Sequence, residues 1–263
     1  SARWLAGWFA VEGCSPSAKW GCQHAGRDSR DGEDGPDGIV TGVTDWMHIE
    51  ANAVECLNLQ DAMEQGVGFD GASVEGFARI NESDMRAFPD PTTFTLLPWR
   101  PRQNAVARMF CDIRTPNGDP FAGDPRFVLK RNLERLAGMG YTYYVGPELE
   151  FFFLKDADTP EPLDRGGYFD QLSSQPAADL RRDIVLNLAD MGIPVKYSHH
   201  EAAHSQHEID LQYTDALTMA DTVMTAKLVI KELAQIKGVY ATFMPKPMSH
   251  LNGSGMHTHQ SLF

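Results

Sequence analysis

Positive charge is scarce in this sequence, where 23 lysines and arginines stand against 36 aspartates and glutamates, a net charge of −13. Such a chain has no electrostatic attraction to nucleic acid or an anionic membrane, so we expect neither as a partner. No apolar run approaches the roughly 20 residues of a membrane-spanning helix, and residues 1–4 lack the apolar segment of a signal peptide. The four cysteines form no Cys-x-x-Cys pair, which argues against a thiolate zinc site and a disulfide scaffold. These absences predict a cytoplasmic globular protein.

Regular periodicity begins only near residue 56. Residues 1–55 show no helical or alternating period of useful length, and 27–38 are rich in Gly, Asp and Ser, which predicts an atypical or poorly ordered segment. Apolar stripes closed by glycine predict helices over 124–138, 175–192 and 215–237. Strand-like runs are 141–145, 149–154, 197–203, 207–213, 240–244 and 256–262. Helices and strands alternate without a strict βαβα order, so the pattern predicts an α+β fold.

The run 146–153 carries the first candidate site. Residues two apart on a strand share a face, so Glu148 and Glu150 point one way while Leu149 and Phe151 point the other. Two neighbouring carboxylates repel each other unless a cation lies between them. The run therefore indicates a metal site, with a solvated strand face as the alternative.

The segment 198–208 carries the second candidate site. Glu201 and Glu208 flank a short turn, as on the two arms of a hairpin, which can bring both carboxylates to one place. Residues 200–204 spell the H-E-x-x-H motif of zinc proteases, which requires a helix with both histidines on one face. The flanking residues are strand-like instead, so the segment disfavours a protease.

The third candidate site follows the glycine-rich loop 252–255. His257, His259 and Ser261 alternate onto one face of a predicted strand. A single histidine is more often structural than a ligand, but two on one face after such a loop favour a site.

One motif is a false lead. Gly66-x-Gly68-x-x-Gly71 matches the letters of the dinucleotide-binding fingerprint, which must follow a strand and open a helix. The residues before Gly66 read as helix or turn, and no helix is predicted after Gly71. We therefore expect no dinucleotide site here.

Together these runs resemble the bacterial type I glutamine synthetase family. Residues 69–77, Phe-Asp-Gly-Ala-Ser-Val-Glu-Gly-Phe, are similar to the signature of its small N-terminal domain. Residues 146–152, 199–208 and 246–261 resemble its successive catalytic motifs, in the same order and spacing. The resemblance covers roughly 57–263. It implies a partial β-grasp-like domain over 56–119, followed over 120–263 by part of an antiparallel-sheet and helix catalytic domain.

The sequence departs from the family at both ends. Residues 1–55 do not resemble its opening strands, and the family continues beyond position 263 with a half that carries phosphate-binding arginines, a further metal ligand and a flap. We therefore expect an incomplete chain that is inactive by itself. The family reaction is the ATP-dependent formation of glutamine from glutamate and ammonia through a γ-glutamyl phosphate.

The resemblance also implies a set of site residues. Its catalytic residues would be Asp70 and Ser73, its metal ligands Glu148, Glu150, Glu201, Glu208 and His257, its glutamate-binding residues Asn252 and Gly253, and its nucleotide-binding residues Tyr213, His259 and Ser261. Carboxylates with one imidazole suit Mg²⁺ or Mn²⁺, two or more per site. Asp70 and Ser73 would reach the neighbouring subunit's site, where Asp70 helps to deprotonate ammonium, within a homo-oligomer that is a double-ring dodecamer when complete.

Three alternatives stay open from the sequence. The chain could belong to a γ-glutamyl ligase of the same fold that uses a polyamine or ethanolamine in place of ammonia, although Asp70 and Asn252-Gly253 favour ammonia. It could be a non-catalytic truncated subunit. A zinc hydrolase built on the histidine cluster would instead bind zinc tightly.

Overall fold

The computed structural model describes residues 7–12, 40–44, 47–51, 56–74, 83–101, 105–170 and 176–263. For those up to residue 60, it describes the backbone but not the side chains. The predicted Gly-, Asp- and Ser-rich stretch 27–38, signature positions 75–77 and residue 175 lie outside the described residues. The chain forms two compact units, Ser1–Asn132 and Leu133–Phe263. Among the described helices, none combines the length and apolar character needed to cross a membrane.

The N-terminal unit contains an antiparallel sheet. Its strands are β1 (Gly7–Glu12), β2 (Val40–Thr44), β3 (Met47–Ala51), β4 (Val67–Asp70), β5 (Asp84–Pro89), β6 (Thr95–Leu96), β7 (Val106–Arg108) and β8 (Phe110–Arg114). Six of them follow the order β3-β2-β1-β8-β5-β4, and β7 pairs with β1 and β6. Helix α1 (Cys56–Gln65) precedes β4 and packs against β5. The described part of 1–55 thus includes the strands β1, β2 and β3, although the sequence showed no helical or alternating hydrophobic period there.

The glycines of the false lead have local structural roles. Gly66 ends α1 with a left-handed backbone, φ 72°, and its N–H donates to the Ala62 carbonyl. The strand β4 runs through Gly68, and a single 3-10 turn, Gly71–Ser73, follows it. A helix therefore precedes the motif and a strand lies inside it, the reverse of a dinucleotide-binding unit.

The C-terminal unit is built around one long strand. Its elements are β9 (Tyr143–Leu154), α3 (Pro176–Asp190), β10 (Val195–His200), β11 (Gln206–Leu211), β12 (Thr214–Asp215), α4 (Ala216–Ile236), β13 (Tyr240–Thr242) and β14 (Thr258–Leu262), and α2 (Pro125–Gly138) leads into it. Strand β9 pairs antiparallel with β11, β12, β13 and β14, and β10 pairs with β11. Helix α4 packs against β9 and β13, and α3 packs against α4 and β10.

The three predicted helices are confirmed as α2, α3 and α4. Asp215 caps α4 by accepting the Thr218 N–H at 3.0 Å. The two strands predicted over 141–145 and 149–154 are wrong as separate elements, because β9 runs through Pro147. Proline has no N–H to donate, but Pro147 falls between the β11 ladder, which ends at Glu148, and the β12 ladder, which starts at Val145. The prediction of strand to residue 203 is also wrong, since β10 ends at His200 and a turn follows.

Candidate functional site

Strand β9 divides the C-terminal unit into a buried and an open face. Leu149, Phe151 and Phe153 are fully buried, and the rings of Phe151 and Phe153 make an edge contact at 5.1 Å. The alternation places Glu148 and Glu150 on the other face, as the sequence predicts. We call that face the site face.

Strand pairing extends the site face across the hairpin. Glu150 lies opposite Glu208, which lies opposite His199, so one row of residues crosses β9, β11 and β10. In the next row of this face Glu148 lies opposite Asp210. Directly paired residues in an antiparallel sheet have Cα atoms about 4.5–5.5 Å apart. The sheet register therefore brings the carboxylates of Glu148 and Glu150 next to those of Glu208 and Asp210 from a distant part of the chain.

Histidines contact these carboxylates from two directions. His199 Nε2 lies 3.2 Å from Glu208 Oε2 and 3.3 Å from Glu201 Oε1, so it bridges the two arms of the hairpin. At the β14 end, His257 Nδ1 and His259 Nε2 lie 3.2 and 2.6 Å from the two oxygens of Glu148. Hydrogen bonds from His259 and then His257 outweigh desolvation and lower the pKa of Glu148.

The carboxylates at the centre of the site face lie close together and form no ion pair with lysine or arginine among the described residues. Burial, a side-chain hydrogen bond with Glu201 and the negative charge of Asp210 raise the pKa of Glu208 to about 8. Burial likewise raises the pKa of Asp210, and its buried Oδ1 atom has no hydrogen-bond donor. Ligand atoms of His199, Glu208 and Asp210 lie within 4.8 Å of one another. An unpaired buried oxygen beside a second carboxylate is the environment that a divalent cation stabilises.

The glycine-rich loop lies against the same carboxylates. Gln206 Nε2 donates to Glu150 Oε2 at 2.8 Å and to the Gly253 carbonyl at 2.9 Å, so it ties the loop to the site. A Cβ atom on Gly255 would lie 3.1 Å from Glu150 Oε1 and 3.6 Å from His257 Nε2. A Cβ on Gly253 would lie 2.6 Å from the Pro245 carbonyl oxygen. A Cβ atom at position 253 would therefore clash with the backbone, and one at position 255 would press on the Glu150 carboxylate, so close packing within the unit favours glycine at both positions.

The other predicted residues are less clustered. Asn252 is exposed in the glycine-rich loop. Tyr213 is exposed, and its Cβ atom lies close to Gly146. Ser261 on β14 lies opposite Tyr144 on β9. Asp70 and Ser73 belong to the N-terminal unit.

Asp70 caps the 3-10 turn that follows β4. Its carboxylate accepts the Ala72 N–H at 2.9 Å and the Ser73 hydroxyl at 2.6 Å. The Ser73 bond and then the Ala72 bond lower the pKa of Asp70. This turn holds both side chains together at the surface of the unit.

Sequence reasoning missed three residues of the site face. Asp210 and His199 could have been found by extending the two-residue alternation from Glu208 and Glu201 along their strands. Gln206 gave no such signal, because its contacts depend on the packing of the glycine-rich loop against the hairpin.

The H-E-x-x-H letters do not lie on a helix. Strand β10 ends at His200, and 201–205 form the turn of the hairpin. His200 is buried behind the site face, whereas the Nδ1–H of His204, which lies in the turn, donates to the Gly166 carbonyl at 3.1 Å. The two histidines therefore lack the one-face geometry of a zinc protease.

The comparisons with known proteins agree on one family. The glutamine synthetase catalytic-domain model matches residues 122–263, and the glutamine synthetase β-grasp-domain model matches residues 40–116. The glutamine synthetase of Methanosarcina mazei is 51% identical over 230 residues, which are 86% of this chain and 52% of that protein. The α+β fold with a β-grasp-like N-terminal domain is thereby confirmed; the predicted boundaries at 55 and 119 stay predictions.

Two solved structures are similar over most of the chain. A GmaS/ADP complex is 32% identical with a TM-score of 0.73, covering 82% of this chain and 50% of that one. Glutamine synthetase of Plasmodium falciparum is 27% identical with a TM-score of 0.72, covering 85% of this chain and 49% of that one. The chain spans about half the length of the relatives that it matches.

Proposed function

The chain belongs to the glutamine synthetase family, and from that premise we propose that it serves an ATP-dependent ligase that forms glutamine from glutamate and ammonia. The observation that carries this proposal is the site face, where carboxylates of three chain segments meet without a lysine or arginine ion pair among the described residues. The donors are hard oxygens with imidazole nitrogens, a set that fits Mg²⁺ or Mn²⁺ better than zinc.

The site residues divide into two cation-binding groups. Glu150, Glu201 and Glu208 hold one ion, and Glu148 with His257 holds a second. Bound Mg²⁺ or Mn²⁺ supplies the charge neutralisation that lets the γ-carboxylate of glutamate meet the γ-phosphate of ATP. Gln206 orients Glu150 through its 2.8 Å hydrogen bond, and Asp210 adds negative charge beside Glu208.

The substrates bind around this centre. Asn252 and Gly253 bind glutamate in the loop that Gln206 ties to Glu150, while Tyr213, His259 and Ser261 meet the nucleotide. The ADP in the GmaS complex supports a nucleotide site in this fold. An oxygen of the γ-carboxylate of glutamate attacks the γ-phosphorus of ATP and ADP leaves, which gives the acyl phosphate. Ammonia then attacks the acyl carbon, phosphate leaves as the C–N bond forms, and the nitrogen loses a proton.

Oligomerisation completes the proposed site. Asp70 and Ser73, held together by the capped turn, act in the site of a neighbouring subunit, where Asp70 takes a proton from ammonium. The assembly is a homo-oligomer, with a double-ring dodecamer as its complete form. The protein is cytoplasmic, in keeping with its small-molecule substrates.

Cation binding at Glu208 is the direct test of this proposal. We expect Mg²⁺ or Mn²⁺ to raise the unfolding midpoint, because a ligand of the native state stabilises it by about 2.7 kcal/mol at 100 times its dissociation constant. Glu208→Gln should reduce this shift, because it removes a ligand of one of the two ions, whereas Glu134→Gln on the exposed surface of α2 removes the same charge and should keep the full shift. An equal shift in Glu208→Gln, or tight stoichiometric zinc in its place, would contradict the proposal.

A turnover assay with ATP, glutamate and ammonium extends the test to the reaction. In the complete enzyme, Glu208→Gln should lower glutamine formation by roughly 100-fold or more, the size typical of removing one group that stabilises developing charge. Glu134→Gln should retain full turnover.

A further inference from the structure

A buried cluster lies directly behind the site face. His200 ends β10 and His207 lies opposite it on β11, with the two rings 4.6 Å apart. Both side chains are buried, and the carboxylate of Asp164 lies between them: His200 Nε2 is 2.9 Å from Oδ1 and His207 Nε2 is 3.5 Å from Oδ2. Neither histidine contributes to the reaction proposed above.

Asp164 is itself fixed to the hairpin turn. Its Oδ1 atom accepts the N–H groups of Gly166 at 2.9 Å and Ser205 at 3.1 Å, and its own N–H donates to Ser205 Oγ at 2.6 Å. Ser205 has a left-handed backbone, φ 60°, which non-glycine residues rarely adopt and which these contacts stabilise. Asp164 therefore contacts both arms of the hairpin and the turn between them.

The hydrogen-bond partners determine where the ring protons lie. Arg181 Nη1 lies 2.7 Å from His207 Nδ1 and can only donate, so this nitrogen accepts and Nε2 carries the proton toward Asp164. His200 faces acceptors on both sides, the Glu201 carbonyl at 2.7 Å and Asp164, so both of its nitrogens donate. His200 Nε2 therefore donates to Asp164 Oδ1, whereas His207 Nε2 and Asp164 Oδ2 face each other at 3.5 Å and neither atom has a hydrogen-bond partner among the described residues.

The hydrogen-bond network of this cluster connects to the site face through chain geometry. His200 precedes Glu201, and His207 precedes Glu208, so each buried histidine is bonded covalently to a residue with a site carboxylate. Side chains alternate along a strand, so a shift of His207 in the core displaces Glu208 on the other side of the sheet. The His200 Nδ1–H donates directly to the backbone carbonyl of Glu201.

We propose that Asp164 is a positioning residue that, through His200 and His207, holds the two arms of the hairpin so that Glu201 and Glu208 bind one cation. This inference rests on the proposed function, because it takes those two carboxylates as ligands. Partners that orient metal ligands typically contribute 10–100-fold to metal affinity. Asp164 acts from the far side of the sheet and touches neither carboxylate.

The test compares Asp164→Asn with an equally buried apolar variant. Asparagine keeps the size of the side chain but replaces one acceptor by an NH₂ group, which would face a donor nitrogen of His200 or His207. Leu188→Ala in α3 is the control, because Leu188 is fully buried, its truncation destabilises the unit, and its side chain has no hydrogen-bonding group to contribute to the network. Mn²⁺ affinity is measured by electron paramagnetic resonance of free Mn²⁺, at a temperature where every variant is folded.

We expect Asp164→Asn to weaken Mn²⁺ binding 10–100-fold while Leu188→Ala changes it less than twofold. His200→Gln is the second variant; its amide keeps a donor toward Asp164 and loses the one to the Glu201 carbonyl, so it should also weaken binding. Wild-type affinity in both Asp164→Asn and His200→Gln, with binding lost in Glu208→Gln, would overturn this inference alone. Equal binding by wild type and Glu208→Gln would overturn the proposed function with it.

Discussion

The clustered carboxylates of the two units have different ion-pair partners. In the N-terminal unit, Arg126 pairs with Asp90 at 2.8 Å and Asp112 at 2.5 Å, and Lys130 adds a second cation to Asp112 at 2.6 Å. In the C-terminal unit, the ion pairs of Glu148 and Glu208 among the described residues are with histidines.

This difference distinguishes a charge cluster that is neutralised by its own partners from one that lacks a lysine or arginine partner among the described residues. The guanidinium of Arg126 is almost fully buried and is neutralised by its two partners, so that cluster is complete without a ligand. On the site face, burial raises the pKa values of Glu208 and Asp210, which means that their charged forms are disfavoured in the metal-free protein. In its charged form this cluster destabilises the metal-free protein. The cation that we propose to bind there would offset that cost.

The largest expected effect is that removing one charge changes the free energy of unfolding in opposite directions in the two clusters. Arg126→Met leaves Asp90 without its cation and should lower the free energy of unfolding by about 3 kcal/mol, since breaking a buried ion pair strands a charge. Glu208→Gln removes a disfavoured charge and should raise the free energy of unfolding in metal-free protein at pH 8 and above. Denaturant titrations in EDTA measure both, and a loss of stability in both variants would break the comparison.

A second prediction concerns a buried acid, Asp124, whose carboxyl group accepts hydrogen bonds from backbone N–H groups. Asp124 is fully buried beside α2, accepts the Arg126 N–H at 3.0 Å, and has its pKa raised to about 6 by burial. The native state therefore binds this proton near pH 6 and the unfolded state near pH 3.9, so the contribution to stability grows as pH falls between these values. Relative to Asp124→Asn, wild type should gain about 2 kcal/mol from pH 7 to pH 4.

Wild type and Asp124→Asn share all other carboxylates, so the pH dependence that those groups give to stability cancels in the difference between the two proteins. Denaturant unfolding at both pH values gives the two differences in free energy, and Asp119→Asn on the exposed surface of the same unit controls for the change in net charge. A difference between wild type and Asp124→Asn that stays constant with pH would contradict the prediction.

The smallest expected effect on stability belongs to Asp70. Asp70→Ala removes an exposed cap from a single turn, so the unfolding midpoint should change little. In the complete enzyme, ammonia-dependent turnover should be lost while phosphoryl transfer is partly retained, because only the second step needs a proton acceptor for ammonium. Rates of glutamine formation and of ADP formation separate these outcomes; an equal loss in both would make Asp70 structural.

The helices of this protein were predictable because their signals are local. Asp215 and Gly238 lie next to the ends of α4, and the apolar stripe of α3 is visible from residue spacing alone. The continuous strand β9 was not predictable, because Gly146 and Pro147 are strand breakers by composition. Only the positions of β11, β12 and β14 show that no hydrogen bond is needed at the proline nitrogen.

The sequence by itself determined which carboxylates share a strand face, since the two-residue alternation around Glu148 and Glu150 requires no knowledge of other strands. Tertiary structure decided which distant residues oppose them. The register that pairs Glu208 with Glu150 and Asp210 with Glu148 depends on how the β10–β11 hairpin joins β9, some 60 residues away in the chain. The placement of Asp164 behind that hairpin arises in the same way, because contacts between distant segments follow from packing and are absent from local sequence pattern.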